Sequence, residues 1–339
     1  MKWTEELLNE RLTTPSPLLV EDMAKLEGDI MILGAGGKMG PTLCLLARNA
    51  LREAGVDKKV IAVSRFSDPA AARLLKAGGV ELISCDLLDL EALERLPLTP
   101  NVIYMAGRKF GTEGHEWETW AMNAALPAFA ARKFKDSRIV AFSSGNLYPM
   151  VPVSGGGSTE EDKPGPVGEY AMSCLARERA FEYAANKFGT KVFIYRLNFA
   201  VDLRYGVLYD IAEKILNDRR ISITTPVFNC IWQGSANEIA LRGLLHADSP
   251  ANIVNVTGPE TLSVMKTAVK LGRLLGKEPV FEGEEGQDAY LNNAGKCMAL
   301  FGYPHIPAET LIRWQARWLL DGGRGLGKPT HFEERKGNY

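Results

Sequence analysis

Apolar and polar positions follow two alternating periods along most of the chain. Ile30-Met31-Ile32-Leu33 is an unbroken apolar run ending in glycines, the pattern of a parallel strand buried on both faces. Pro41–Ala54 then carries apolar residues at helical spacing and stops before Gly55. The succession repeats: Val60–Ser64 reads as a strand, Pro69–Ala77 as a helix and Val80–Cys85 as a strand. After Leu90–Leu96 comes a strand over Val102–Ala106, then a helix from about Glu116 to Lys135 and a strand over Arg138–Ser143. A helix over about Glu169–Phe188 precedes a sixth strand, Lys191–Leu197. Strand and helix alternating through short connections predict an α/β fold with an open, doubly wound parallel sheet.

The flanks are less regular. Residues 1–28 read as an accessory segment, with an amphipathic helix around Lys2–Arg11, a Thr-Thr-Pro-Ser-Pro break and a second helical turn. Beyond residue 200, helices are expected over Tyr205–Asp218, Ser235–Ala247, Ser263–Leu275 and Thr310–Leu320, with strands at Ile221–Thr224 and Asn252–Val256. The chain divides into 1–28, a nucleotide domain over 29–200 and a smaller substrate lobe over 201–339, with part of 225–256 free to pack back on the first domain.

Composition narrows the function. The 339 residues are 46% apolar, enough for a real core, and 40 basic against 41 acidic side chains leave no global handle for nucleic acid or an anionic membrane. No 18-residue apolar run is present to span a bilayer. Five cysteines without a C-x-x-C pair and four scattered histidines argue against a disulfide framework and a metal site. The expectation is a soluble, reduced, cytoplasmic protein with a small-molecule substrate.

The first strand ends in Gly34-Ala35-Gly36-Gly37-Lys38-Met39-Gly40, just before a helix. Glycines there permit the tight turn and bring backbone amides, with the N-terminus of the helix, against a pyrophosphate. Gly34, Gly37, Lys38, Met39 and Gly40 are therefore the expected dinucleotide cradle. The second strand ends in Ser64-Arg65 without a carboxylate for an adenosine ribose. Arg65 and Lys38 could pair with a 2′-phosphate and Ser64 could hydrogen-bond it, which favours NADP over NAD. Alternatively Asp68 reaches back to the ribose.

Several further stretches follow in order: Cys85-Asp86-Leu87, Met105-Ala106-Gly107, Asn123, Phe142-Ser143-Ser144 with Tyr148-Pro149, Tyr170-Ala171-Met172-Ser173, Arg196-Leu197-Asn198 and Asn255-Val256-Thr257-Gly258. With the glycine loop, they make the sequence resemble the extended short-chain dehydrogenases/reductases, the NAD(P)-dependent sugar epimerases, dehydratases and reductases, over about residues 29–320. The resemblance implies a Rossmann domain with a substrate lobe, and a homodimer pairing the helices Glu116–Lys135 and Glu169–Phe188. It places Asp86 and Leu87 at the adenine, Ala106, Gly107 and Asn123 along the cofactor, Tyr170 as the acid–base group and Ser144 as the hydroxyl that orients the substrate oxygen.

One departure stands out. The family's Tyr-x-x-x-Lys is here Tyr170-x-x-x-Cys174. Residues four apart share a helix face, and an adjacent ammonium lowers the phenol's pKa. Without it Tyr170 is expected near its ordinary value of about 10, protonated at neutral pH, able to donate to a carbonyl oxygen but a poor base for oxidising an alcohol. Cys174 reads as a small packing residue, as a sign that Arg177 supplies the charge, or as an active thiol. Asn146, Tyr148, Arg204 and Gln233 are candidate substrate contacts, since they fall just past strand ends or where the lobe should meet the cleft. The function expected is an NADP-dependent oxidoreductase or epimerase acting on a sugar-derived carbonyl or hydroxyl compound. The alternative is a non-catalytic NADP(H) sensor that has lost the lysine.

Overall fold

The computed structural model describes residues 2–337, apart from 112 and 329. Seven parallel strands form its sheet: β1 (Ile30–Leu33), β2 (Val60–Ser64), β3 (Glu81–Ser84), β4 (Asn101–Tyr104), β5 (Arg138–Ser144), β6 (Lys191–Leu197) and β7 (Asn252–Val256). Their spatial order is 7-6-5-4-1-2-3, with Leu33 of β1 level with Val63 on one side and Tyr104 on the other. Chain direction across the sheet reverses between β1 and β4, the crevice where open α/β sheets bind ligands.

The strand period of two decides the packing. Ile30, Ile32, Val60, Ala62, Ile103 and Val140 face one layer with Leu43 and Ala47 of α3. Met31, Leu33, Val63, Val102, Tyr104 and Ile139 face the opposite layer, with Phe134 and Phe181.

The helices in chain order are α1 (Glu5–Thr13), α2 (Pro17–Lys25), α3 (Gly40–Glu53), α4 (Pro69–Ala77), α5 (Leu90–Arg95), α6 (Glu116–Trp120), α7 (Leu126–Lys133), α8 (Gly168–Phe188), α9 (Val207–Leu216), α10 (Gln233–Arg242), α11 (Val264–Leu275), α12 (Gly295–Phe301) and α13 (Ala308–Leu320). The helix expected over Glu116–Lys135 is interrupted: Ala121–Ala125 widens into a π-helical turn between α6 and α7. Trp117 on α6 is 69% exposed.

The break between α1 and α2 has a local cause. The Ser16 side chain accepts from the Leu19 amide and Pro17 takes the first helical turn, where its missing N–H costs nothing. Both helices tie into the body. Leu19 and Met23 of α2 join one sheet layer, and Leu8 and Leu12 of α1 join the separate core of α9, α11 and α13. The Trp3 amide donates to Asp321 at 2.7 Å, and the Trp3 ring packs edge-on to Trp314 at 5.2 Å.

After residue 200 the chain returns to the sheet. β7 pairs with β6 over five residues, and α10 lies against α3. Residues 330–337 run back across the molecule. Thr330 donates to the Asp210 carboxylate, Phe332 is buried near Phe228, Arg335 pairs with Asp288, and Gly337 abuts Gly168 at the start of α8. Among the described residues no helix is long and apolar enough to cross a membrane.

Candidate active site

The glycine loop is held by contacts that exclude side chains. Gly34 adopts φ +89°, and a Cβ there would lie 2.6 Å from the Ala106 backbone. At Gly40 a Cβ would come within 2.2 Å of the Ala35 carbonyl oxygen. Gly37 has another purpose. It faces the cleft, and a Cβ would meet nothing nearer than the Gly34 oxygen at 3.5 Å, so its bareness leaves space for a ligand. α3 starts at Gly40 without a side-chain cap; the Gly40 amide is spent on the Gly37 carbonyl at 3.3 Å and Pro41 has no N–H, so what this end offers an anion is chiefly the positive end of the helix dipole. This cradle fits a dinucleotide pyrophosphate.

At the end of β2, Ser64 Oγ lies against Gly36, and the exposed Arg65 guanidinium is 3.9 Å from the Asp86 carboxylate. Leu87 beside it is buried. Asp68 is engaged elsewhere, capping α4 by accepting from the Ala70 amide at 2.9 Å. Lys38 departs from expectation. Its Nζ sits 3.6 Å over the Tyr205 ring, across the cleft from β2, where burial lowers its pKa to about 8 against the pull of Asp202. It is therefore not a partner of Arg65.

The crevice continues from Gly37, Lys38 and Met39 past Gly107 to Ser144, Asn146 and Tyr170, a space of about 400 Å³ closed by Tyr205, Lys328 and Thr330. Ser144 ends β5, and its Oγ accepts from the Asn146 amide at 3.2 Å. The Tyr170 hydroxyl, from the first turn of α8, shares hydrogen bonds with the Ser144 hydroxyl and the Cys174 thiol. Burial pushes this phenol well above its ordinary 10, and Cys174 adds to the rise, while Arg177 and Ser144 oppose it. Tyr170 thus holds its proton more firmly than expected from the loss of a lysine alone.

Cys174 is fully buried and its thiol is pushed up by desolvation, so the packing reading fits and the active-thiol reading does not. Arg177 reaches Tyr170 only as a field from behind. It is 5% exposed, with its terminal nitrogens on the Phe142 carbonyl at 2.9 Å and Asn123 Oδ1 at 2.7 Å.

Four expected ligand contacts face the interior instead. Asn123 spends its whole amide on protein: Oδ1 accepts from the Arg108 amide and Arg177, and Nδ2 donates to the Arg108 carbonyl and Ser173 Oγ. It lies buried in the π turn and braces the loop after β4. Tyr148 donates to Asn255 at 3.0 Å and accepts from Arg196, whose buried pair with Glu178 spans 2.7 Å. Arg204 is tied to Asp202 and Glu5. Gln233 is wholly buried and donates to Thr42 Oγ1 on α3 at 3.0 Å. In each case a polar partner from a distant segment claims the side chain.

Several cleft residues were not singled out in the sequence, Phe110, Phe199, Lys328 and Thr330 among them. Lys109, in the loop after β4, lines the cleft with Nζ 5.6 Å from the Tyr170 ring centroid.

A glycine cradle at the end of β1 thus lies in one crevice with a Ser–Tyr pair from β5 and α8. The model of the NAD dependent epimerase/dehydratase family matches residues 30–201, slightly more than half of the chain. The chain belongs to that family. No curated protein sequence matches it. Among solved structures, UDP-glucuronic acid 4-epimerase from Bacillus cereus in complex with NAD is 16% identical, with TM-score 0.69 over 86% of this chain and 98% of that one. UDP-glucose 4-epimerase from Thermotoga maritima with UDP-glucose is 18% identical, with TM-score 0.68 over 87% and 99%. MoeE5 in complex with UDP-glucuronic acid and NAD is 19% identical, with TM-score 0.66 over 87% and 100%. At these identities the likeness to solved structures is one of fold.

Proposed function

We propose that the protein is an NADP-dependent oxidoreductase or epimerase acting on a sugar-derived carbonyl or hydroxyl compound, with residues 29–200 holding the cofactor and 201–339 the substrate. The observation that carries this reading is the Ser144–Tyr170 hydroxyl pair in the same crevice as the glycine cradle. Family membership and neighbours bound to nucleotide sugars support the substrate class.

The nicotinamide, when bound, supplies or accepts hydride. Ser144 orients the reacting oxygen and Tyr170 holds the proton that oxygen receives. With its phenol pushed above 10, Tyr170 is a general acid at neutral pH, so carbonyl reduction is the favoured direction. Ser64 and Arg65, with Asp68 committed to its helix cap, support NADP over NAD.

The test is single-turnover absorbance at the nicotinamide band, with NADPH or NADP⁺ bound and sugar aldehydes, ketoses, lactones and nucleotide sugars supplied. Tyr170→Phe should slow hydride transfer by about 10²- to 10⁴-fold without weakening cofactor binding. Tight NADPH binding with no transfer to any of these compounds favours the sensor reading. Failure to bind either nicotinamide removes the proposal.

A homodimer through the 116–135 and 169–188 helices is part of the reading. Phe129, Tyr183 and Phe188 stand 44%, 60% and 43% exposed beside a groove floored by Ala128, Ala131, Ala180 and Ala184. Sedimentation of Ala180→Arg as a monomer, against a dimeric parent, checks it. Five free, buried cysteines support a reducing, cytoplasmic setting.

A further inference from the structure

Family chemistry asks two things of the lysine that is missing at position 174: a positive charge beside the phenol, and a donor that reaches the ligand. Arg177 can meet only the first. It is buried, it does not line the cleft, and both terminal nitrogens are bonded to protein. Lys109 can meet both. It lines the cleft, and its Nζ is 5.6 Å from the Tyr170 ring centroid.

The framework around Lys109 fixes this approach. Asn123 clamps the preceding peptide, accepting from the Arg108 amide at 2.8 Å and donating to the Arg108 carbonyl at 2.8 Å. The same amide donates to Ser173 Oγ at 3.0 Å, next to Cys174. The Arg108 side chain is pinned in turn to Glu118 and the Gly111 carbonyl. The loop after β4 is thereby tied to α8 one residue before Lys109.

We propose that Lys109 replaces the absent lysine, donating its ammonium to the nicotinamide ribose and setting the charge beside Tyr170. The cation of the pair has moved from the helix to the loop after β4. This rests on the oxidoreductase reading above, and the experiment separates the two.

The dissociation constant of NADPH, read by nicotinamide fluorescence, is measured for the parent, Lys109→Met, Lys109→Arg, Cys174→Lys and the double variant Lys109→Met/Cys174→Lys. Lys109→Met should weaken binding by about 10- to 100-fold, the worth of a charge-assisted hydrogen bond. Lys109→Arg should recover most of it. Cys174→Lys alone should also weaken binding, because two ammonium groups then crowd one site, yet in the Lys109→Met background it should strengthen binding. That reversal of sign is what a merely structural Lys109 would not produce. Single-turnover rates should follow the same order.

Equal affinity for the parent and Lys109→Met overturns the proposal. So does a folded double variant, with circular dichroism and Tm matching the parent, that binds no better than Lys109→Met. A parent that binds NADPH but transfers no hydride defeats the oxidoreductase reading alone, and the affinity cycle still decides Lys109. A parent that binds no nicotinamide overturns both.

Discussion

At the β1 end of the cleft the ligand surface is backbone. A Cβ at Gly34 or Gly40 would come within 2.6 or 2.2 Å of neighbouring backbone, and α3 opens without a side-chain cap. At the β5 end the surface is side chain: Ser144, Tyr170 and Lys109 come from three segments and lie together only because the sheet and α8 bring them there. The difference is one of tolerance. A backbone cradle needs each glycine where it stands, whereas a side-chain constellation keeps its charge if another segment can deliver one.

The sharpest way to break this contrast is through the glycines. Gly40→Val should collapse both fold and cofactor binding, because the new Cβ has only the Ala35 carbonyl to displace. Overpacking of this kind costs about 1–3 kcal/mol and often more, and thermal unfolding reads it directly. Gly37→Val meets open space, so Tm should stay near the parent value while NADPH affinity falls by an order of magnitude or more. A Gly37→Val protein that binds normally would remove the cradle from the site.

A smaller effect sharpens the other half. Burial lowers Lys38 and Lys109 to about 8 from an ordinary 10.5, so each begins to lose its proton just above neutrality. An anionic ligand restores the charged form, so NADPH should bind with net proton uptake near pH 8 and with affinity falling as pH rises through 8. Titration calorimetry in buffers of different ionisation enthalpy reads the uptake. The free protein should behave oppositely. Its folded state binds fewer protons than the unfolded chain between about 8 and 10.5, so the penalty of burying these ammonium groups is full below pH 8 and relieved above it. Net proton release on binding would contradict this.

The smallest effect is Arg65→Ala. The exposed guanidinium should contribute about a ten-fold preference for NADP over NAD, screened by salt, and paired affinities for the two cofactors measure it.

The same contrast explains what could be read from the sequence. Strands β1 and β2, helix α4 and the glycine cradle are local patterns, and they lie within a residue or two of where the periodicities put them. Lys109 was not legible, because Gly107-Arg108-Lys109-Phe110 looks like any charged loop until Asn123 and α8 are placed against it. Tyr148, Arg204 and Gln233 show the converse. They stand where cleft residues were expected, but Asn255, Asp202 and Thr42, from segments far along the chain in two of the three cases, claim their polar atoms. The interruption at Ala121–Ala125 gave no sign in a helix-compatible stretch, yet the buried Asn123 lies in it.

Residues 330–337 were opaque in the sequence, and they finish the cleft: Thr330 lines it, His331 packs near Phe110 at 6.0 Å, and Gly337 abuts the start of α8. The two ends of the cleft therefore depend on the chain in different ways: the cradle is local to one strand and the helix after it, whereas the opposite wall is delivered by a segment remote from it in sequence, just as the Trp3 amide is held by the distant Asp321.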